Sequence, residues 1–220
     1  MNNLYPQDDL AIRKAWEEFF ADSDEDAPNM QCLVTGKVQH IARIHPKIKG
    51  VVDPNSSLTD KSLVSFNDVS EESYGCFKSQ GKNAPVGKYA TFAYTAALNH
   101  LLANKNNVRT VGDTTVVCWA EGAESIYQTF GTAALFGGEI PSLSENDLRA
   151  ALKRLADGLP CGELGIDPQR PFYILGIAPN AARLSVRFFL RDSFGALMRN
   201  VNAHYDRLEI AGARSGAMPL

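Results

Sequence analysis

The sequence predicts an α+β fold, a mixed or antiparallel sheet with packed helices, and three observations carry that prediction. "RLSVRFFLRD", beginning at Arg183, alternates strictly between apolar and polar residues, the period of a strand. "TTVVCWA", residues 114–120, is a short apolar run rich in β-branched residues, as expected of a central strand. Around these runs lie helical stripes in an order that suits segregated strands and helices, with no internal repeat and no low-complexity tract.

Taken in order, Asp9 to Ala21 places Ile12, Trp16, Phe19 and Phe20 at helical spacing with acidic residues opposite, an amphipathic helix suited to docking. The acidic, proline-containing "DSDEDAPN" then acts as a linker. The expected organisation is a helix over 1–21, a linker over 22–30, a core domain over 31–210 and a disordered tail over 211–220. "CLVTGKVQHIARIHPKIKGVV" reads as a hairpin of short strands turning at Thr35-Gly36, and "KSLVSFND", residues 61–68, as another strand. From Lys88 to about Leu102 a helix puts Ala90, Tyr94, Ala97, Leu98, Leu101 and Leu102 on one stripe, with Lys88, Phe92, Thr95 and Asn99 opposite. A softer helix is expected around Ile126 and Phe130. A clearer one follows, with Ser144 and Asp147 as a capping box, Leu148, Leu152 and Leu155 as its stripe and Gly158 at its C-terminal cap. "PFYILGIA" is an apolar strand, Pro179-Asn180 starts a turn, and Phe194, Leu197, Met198, Val201, Tyr205 and Leu208 define a last helix.

At 220 residues and 45% apolar content the chain has material for a real core. A formal net charge of -3 argues against a wholly basic nucleic-acid binder, so contact with a polyanion must come from local patches. There is no apolar window of roughly 18 residues and no signal-peptide pattern, so the expectation is a cytoplasmic protein without a membrane partner. Cys32, Cys76, Cys118 and Cys161 lie far apart with no CxxC pair and read as reduced thiols.

Local chemistry offers four candidate sites. The loop before the Lys88 helix carries Lys78, Gln80, Gly81, Lys82 and Asn83: amides that suit base edges, lysines that suit phosphates and a glycine that permits close approach. Its plainer reading is a helix-entry turn in which Asn83 caps and Pro85 starts the helix. On the Arg183 strand, Arg183, Ser185, Arg187, Phe189 and Arg191 share one face, suited to phosphates or base stacking, or else to pairing with nearby carboxylates in solvent. Lys47 and Lys49 form a small basic edge around Ile48. Cys32 with Gly36 resembles a zinc knuckle with Thr35 in the second cysteine's place, and His40, His45 and Cys76 supply no second close pair. No nucleophile, phosphate-loop, metalloprotease or dinucleotide motif occurs, so the chain is expected to be no enzyme and to need no cofactor.

The strings "CLVTGKVQHIARIHPKIKGV", "SLVSFN", "ESYG" with "QGKNAPVGKYATFAYTAALNHLL", "GDTTVVCWAE" and "FYILGIAPNAARLSVRFFLRDSFG" are long, colinear and not generic. They closely resemble the large subunit of the type I-C, or Dvulg-subtype, CRISPR surveillance complex, over its central portion. The resemblance implies a non-catalytic subunit beside the one that holds the guide RNA's 5′ handle. Such a subunit tests duplex DNA for a protospacer-adjacent motif, helps open it and recruits a separate helicase-nuclease. The implied partners are double-stranded target DNA, the guide RNA-loaded complex with its backbone and handle-binding subunits, and that helicase-nuclease. Lys78, Gln80, Gly81, Lys82 and Asn83 become motif-reading or wedge candidates, with Lys47, Lys49, Arg183, Arg187 and Arg191 as further DNA contacts. A rival expectation is a truncated homologue that assembles with or inhibits the complex as a decoy without binding DNA.

Overall fold

A computed structural model of the chain describes residues 9–22, 28–53, 60–66, 81–104, 108–122, 125–137 and 144–208. The expected tail over 211–220 and most of the expected linker lie outside these residues. By contact the chain divides into two units: Met1–Lys49, Leu58–Asn99 and Ala181–Leu184 form the first, and Gly50–Ser57, His100–Asn180 and Ser185–Leu220 the second.

In the first unit, helix α1 (Leu10–Asp22) starts where the Asp9 carboxylate accepts the N–H groups of Ala11 and Ile12. Strands β1 (Asn29–Gln31) and β2 (Val38–His40) form an antiparallel hairpin with Met30 opposite Gln39. The turn between them contains Thr35-Gly36, and Gly36 N–H donates to the Cys32 carbonyl at 2.9 Å. Helix α2 (Lys88–Ala103, of which 100–103 belong to the second unit) buries Ala90, Thr91, Thr95, Leu98 and Leu102, while Ala97 is exposed. The buried stripe is therefore rotated from the expected one: the small threonines allow a close approach that the apolar count alone did not favour. Within the strand expected over 61–68, the described residues 61–66 form no strand. Lys61 bridges Ile48 and Ser62 bridges Arg183, so two neighbouring residues pair with different segments and no ladder develops; 67 and 68 lie outside the described residues.

The second unit is built on a four-stranded antiparallel sheet. Its strand order is β3 (Val108–Val111), β4 (Thr114–Ala120), β5 (Pro171–Asn180), β6 (Arg183–Ser193, of which Arg183 and Leu184 belong to the first unit). Val116, Cys118 and Ala120 of β4 and Phe172 and Ile174 of β5 share one core with helices α3 (Ser125–Phe136), α4 (Glu145–Ala156) and α5 (Phe194–Leu208). Phe194 is its hub, meeting Tyr127, Phe130 and Phe172 edge to face at 5.1, 6.0 and 5.1 Å. Gly176 opens the middle of β5: a Cβ there would lie 2.4 Å from the Phe188 ring, so its bareness lets that ring lie across the strand. The Ser144 hydroxyl accepts the Asp147 N–H at 3.2 Å, the cap its sequence implied, and Gly158 follows α4 at φ +76.

Candidate nucleic-acid interface

In the loop ahead of α2, Gly81, Lys82 and Asn83 are described, while Lys78 and Gln80 lie outside the described residues. Gly81 has φ +86, and a Cβ there would stand 2.5 Å from the Ala42 carbonyl oxygen and 3.2 Å from the Arg43 Cα. Its glycine is thus demanded by the protein's own backbone, which brings exposed Arg43 beside the loop. The plainer reading of this loop needs correction: α2 begins at Lys88, so Asn83 does not cap it and Pro85 does not start it. Instead residues 85–87 are strapped to the hairpin. The Pro85 carbonyl accepts from Leu33 N–H at 2.8 Å, the Val86 carbonyl from Ala42 N–H at 2.8 Å, and Gly87 N–H donates to Cys32 Sγ at 3.2 Å. This rigid base leaves Lys82 and Asn83 partly exposed.

Cys32 is the anchor of that base. Its sulfur also accepts the Thr35 N–H at 3.5 Å. Burial pushes the thiol up, but hydrogen bonds from Gly87, Thr35 and Val34 outweigh it and hold the thiol at about 7. His45 is buried against Tyr94, Nδ1 to hydroxyl 2.7 Å, and burial pulls its pKa down. Cys32 Sγ and His45 Nδ1 are engaged by these hydrogen bonds, and among the described residues no group of three His, Cys, Asp or Glu is placed to hold a metal ion. Cys76 lies outside them.

Lys47 and Lys49 are exposed on either side of fully buried Ile48. Asn99 of α2 fixes this edge, accepting Lys49 N–H at 2.8 Å and donating to the Lys47 carbonyl at 3.2 Å. Lys47 Nζ donates to Ser62 Oγ at 2.7 Å, so it reaches outward only by exchanging that bond.

On β6 the three arginines have different surroundings. Arg183 belongs to the first unit, at the bridge with Ser62. Arg187 donates to the Asp113 carboxylate at 2.9 Å, the carboxylate pairing that was the plainer expectation. Asp113 is held below its ordinary value by the Thr114 hydroxyl and by Arg187. Arg191 lies over the Tyr173 ring, 5.7 Å from its centroid. Tyr173 pairs with Trp119 across β5 and β4, and those rings stack at 5.3 Å and 12°. Sequence reading treated both strands as uniformly apolar and missed these two residues, as it missed Arg43; strand alternation separates Trp119 from Cys118 and Tyr173 from Phe172, but only the register makes them neighbours.

The chain is thus an α+β protein with two local patches, a glycine-bearing loop with Lys82 and Asn83 and a sheet face that combines aromatic rings with guanidinium groups. The family comparison is more particular: the family described as CRISPR-associated protein (Cas_Csd1) matches residues 2–220, and the chain belongs to that family. Among curated proteins no match was found. No helix among the described residues is long and apolar enough to cross a membrane.

Proposed function

We propose that this chain is the non-catalytic DNA-recognition and scaffold portion of the type I-C CRISPR surveillance complex's large subunit. Membership of the CRISPR-associated family supports a role in CRISPR defence. The observation that carries the finer reading is the strapped loop: a hairpin anchored at Cys32 supports a rigid turn from which Lys82 and Asn83 emerge beside Arg43. Pairing with a guide supplies sequence specificity in such systems, so the protein need only read a short motif and hold backbone phosphates. Local cations on a chain of net charge -3 suffice for that.

The scaffold role rests on a different feature. Helix α1 exposes Ile12 by 49%, Trp16 by 50% and Phe19 by 64%, an apolar stripe that suits docking on a neighbouring subunit. The same stripe would serve the decoy alternative, which differs in lacking DNA contact. The test is a duplex titration at two salt concentrations, with the chain alone and with the guide-loaded complex lacking its large subunit. Motif-dependent capture that falls about tenfold or more in Asn83→Ala or Gln80→Ala is the expected result. Assembly without capture of motif-bearing DNA would establish the decoy instead.

A further inference from the structure

β6 presents two chemically different faces. Val186 and Leu190, 54% and 53% exposed, lie on one with Phe188. From Ser185 onward the other carries Arg187, Phe189 and Arg191, with no aliphatic residue and no carboxylate of its own. On that second face Phe189 joins a cluster of three rings drawn from three adjacent strands. Trp119 stacks on Tyr173 at 5.3 Å and 12°, and Tyr173 on Phe189 at 6.2 Å and 22°. Trp119 and Phe189 also meet, at 6.3 Å and 34°, so the three rings pack as a mutual cluster and not as a linear stack. Phe189, 54% exposed, is the most exposed ring of the cluster and lies on the edge strand of the sheet. The helices occupy the opposite face, against Val116, Cys118 and Ala120.

We propose that Trp119, Tyr173, Phe189 and Arg191 form a stacking platform for the unpaired bases of a single-stranded nucleic acid. The inference deepens, and rests on, the reading of the chain as a nucleic-acid-contacting component. A base stacks on the exposed Phe189 ring, and the adjoining phosphate meets Arg191. Arg191 is exposed and, among the described residues, no carboxylate pairs with it, whereas Arg187 is already engaged by Asp113. Aromatic rings beside guanidinium groups at the exposed β6 edge suit π-faces and phosphates together. Duplex bases already spend their faces on one another, which restricts the ligand to unpaired strands. Aliphatic chemistry, which a protein partner would seek, is concentrated on the other face of the same strand.

The test uses the 220-residue chain and labelled DNA and RNA single strands of identical, motif-free sequence, followed by anisotropy. Binding of either strand is expected, with the tighter one naming the source, displaced DNA or guide RNA. Phe189→Ala and Phe189→Leu should each weaken it about tenfold while Phe189→Tyr retains it, because the stack needs a π-face and not merely apolar area. Arg191→Gln should weaken binding and flatten the salt dependence by about 0.7 in the log–log slope. In a Trp16→Phe background, Trp119 emission should quench on binding. No binding to either strand, or wild-type affinity in both Phe189→Ala and Phe189→Leu with folding retained, would overturn the platform. Loss of single-strand binding with motif-duplex capture intact removes this inference alone. Single-strand binding without duplex capture supports the platform and removes motif reading.

Discussion

Cys32 illustrates how much one side chain fixes in the first unit. Its sulfur takes N–H groups from Thr35, in the hairpin turn, and Gly87, at the entry to α2. Cys32→Ala leaves those buried donors without an acceptor and should cost about 1–3 kcal/mol, read from urea unfolding. The effect has a pH signature. The folded thiol sits at about 7 against an ordinary 9.0, so between those values the unfolded chain holds a proton that the folded chain has released. Stability from this group is therefore fully present above the unfolded value and lost as pH falls through the folded one. The gap between wild type and Cys32→Ala should widen from pH 7 to pH 9; a constant gap would mean that the thiol does not ionise there. The sequence showed Cys32 beside a Thr35-Gly36 turn, but Gly87 as its partner required the tertiary fold.

At the scale of elements, local signals were legible where the chemistry closes within a few residues. Ser144, Asp147 and Gly158 identify both ends of α4 because a helix satisfies its terminal groups with its own neighbours. Residues 61–68 misled because their alternation resembles a strand while Lys61 and Ser62 each serve a separate partner. The β3–β4 hairpin adds a control on β6 that alternation did not disclose: Asp113 holds Arg187. Asp113→Asn should release that guanidinium and steepen the salt dependence of duplex binding by about 0.9 in the log–log slope, one extra phosphate contact. An unchanged slope would show that Arg187 contacts no phosphate. Both partners are exposed, so the substitution should leave thermal stability nearly unaltered.

For the whole molecule, the alternation of β6, broken at Phe189 and Asp192, is a strand pattern whose apolar face is buried only at Leu184; Val186, Phe188 and Leu190 are exposed by 54%, 38% and 53%. A long edge strand with exposed apolar residues invites pairing. Val186→Lys with Leu190→Lys should suppress concentration-dependent self-association measured by light scattering, and a wild-type chain that stays monomeric across the same range would refute this. The α+β class, the family and most helices were determined by the sequence itself, because hydrophobic period and capping are properties of contiguous residues. Which patches form was decided only in three dimensions. Trp119, Tyr173 and Phe189 are distant in the chain and meet through the order of β4, β5 and β6, while Arg43 reaches the loop because Gly81 lets two backbones touch. Periodicity tells a residue's face but not its neighbour, and a binding surface is made of neighbours.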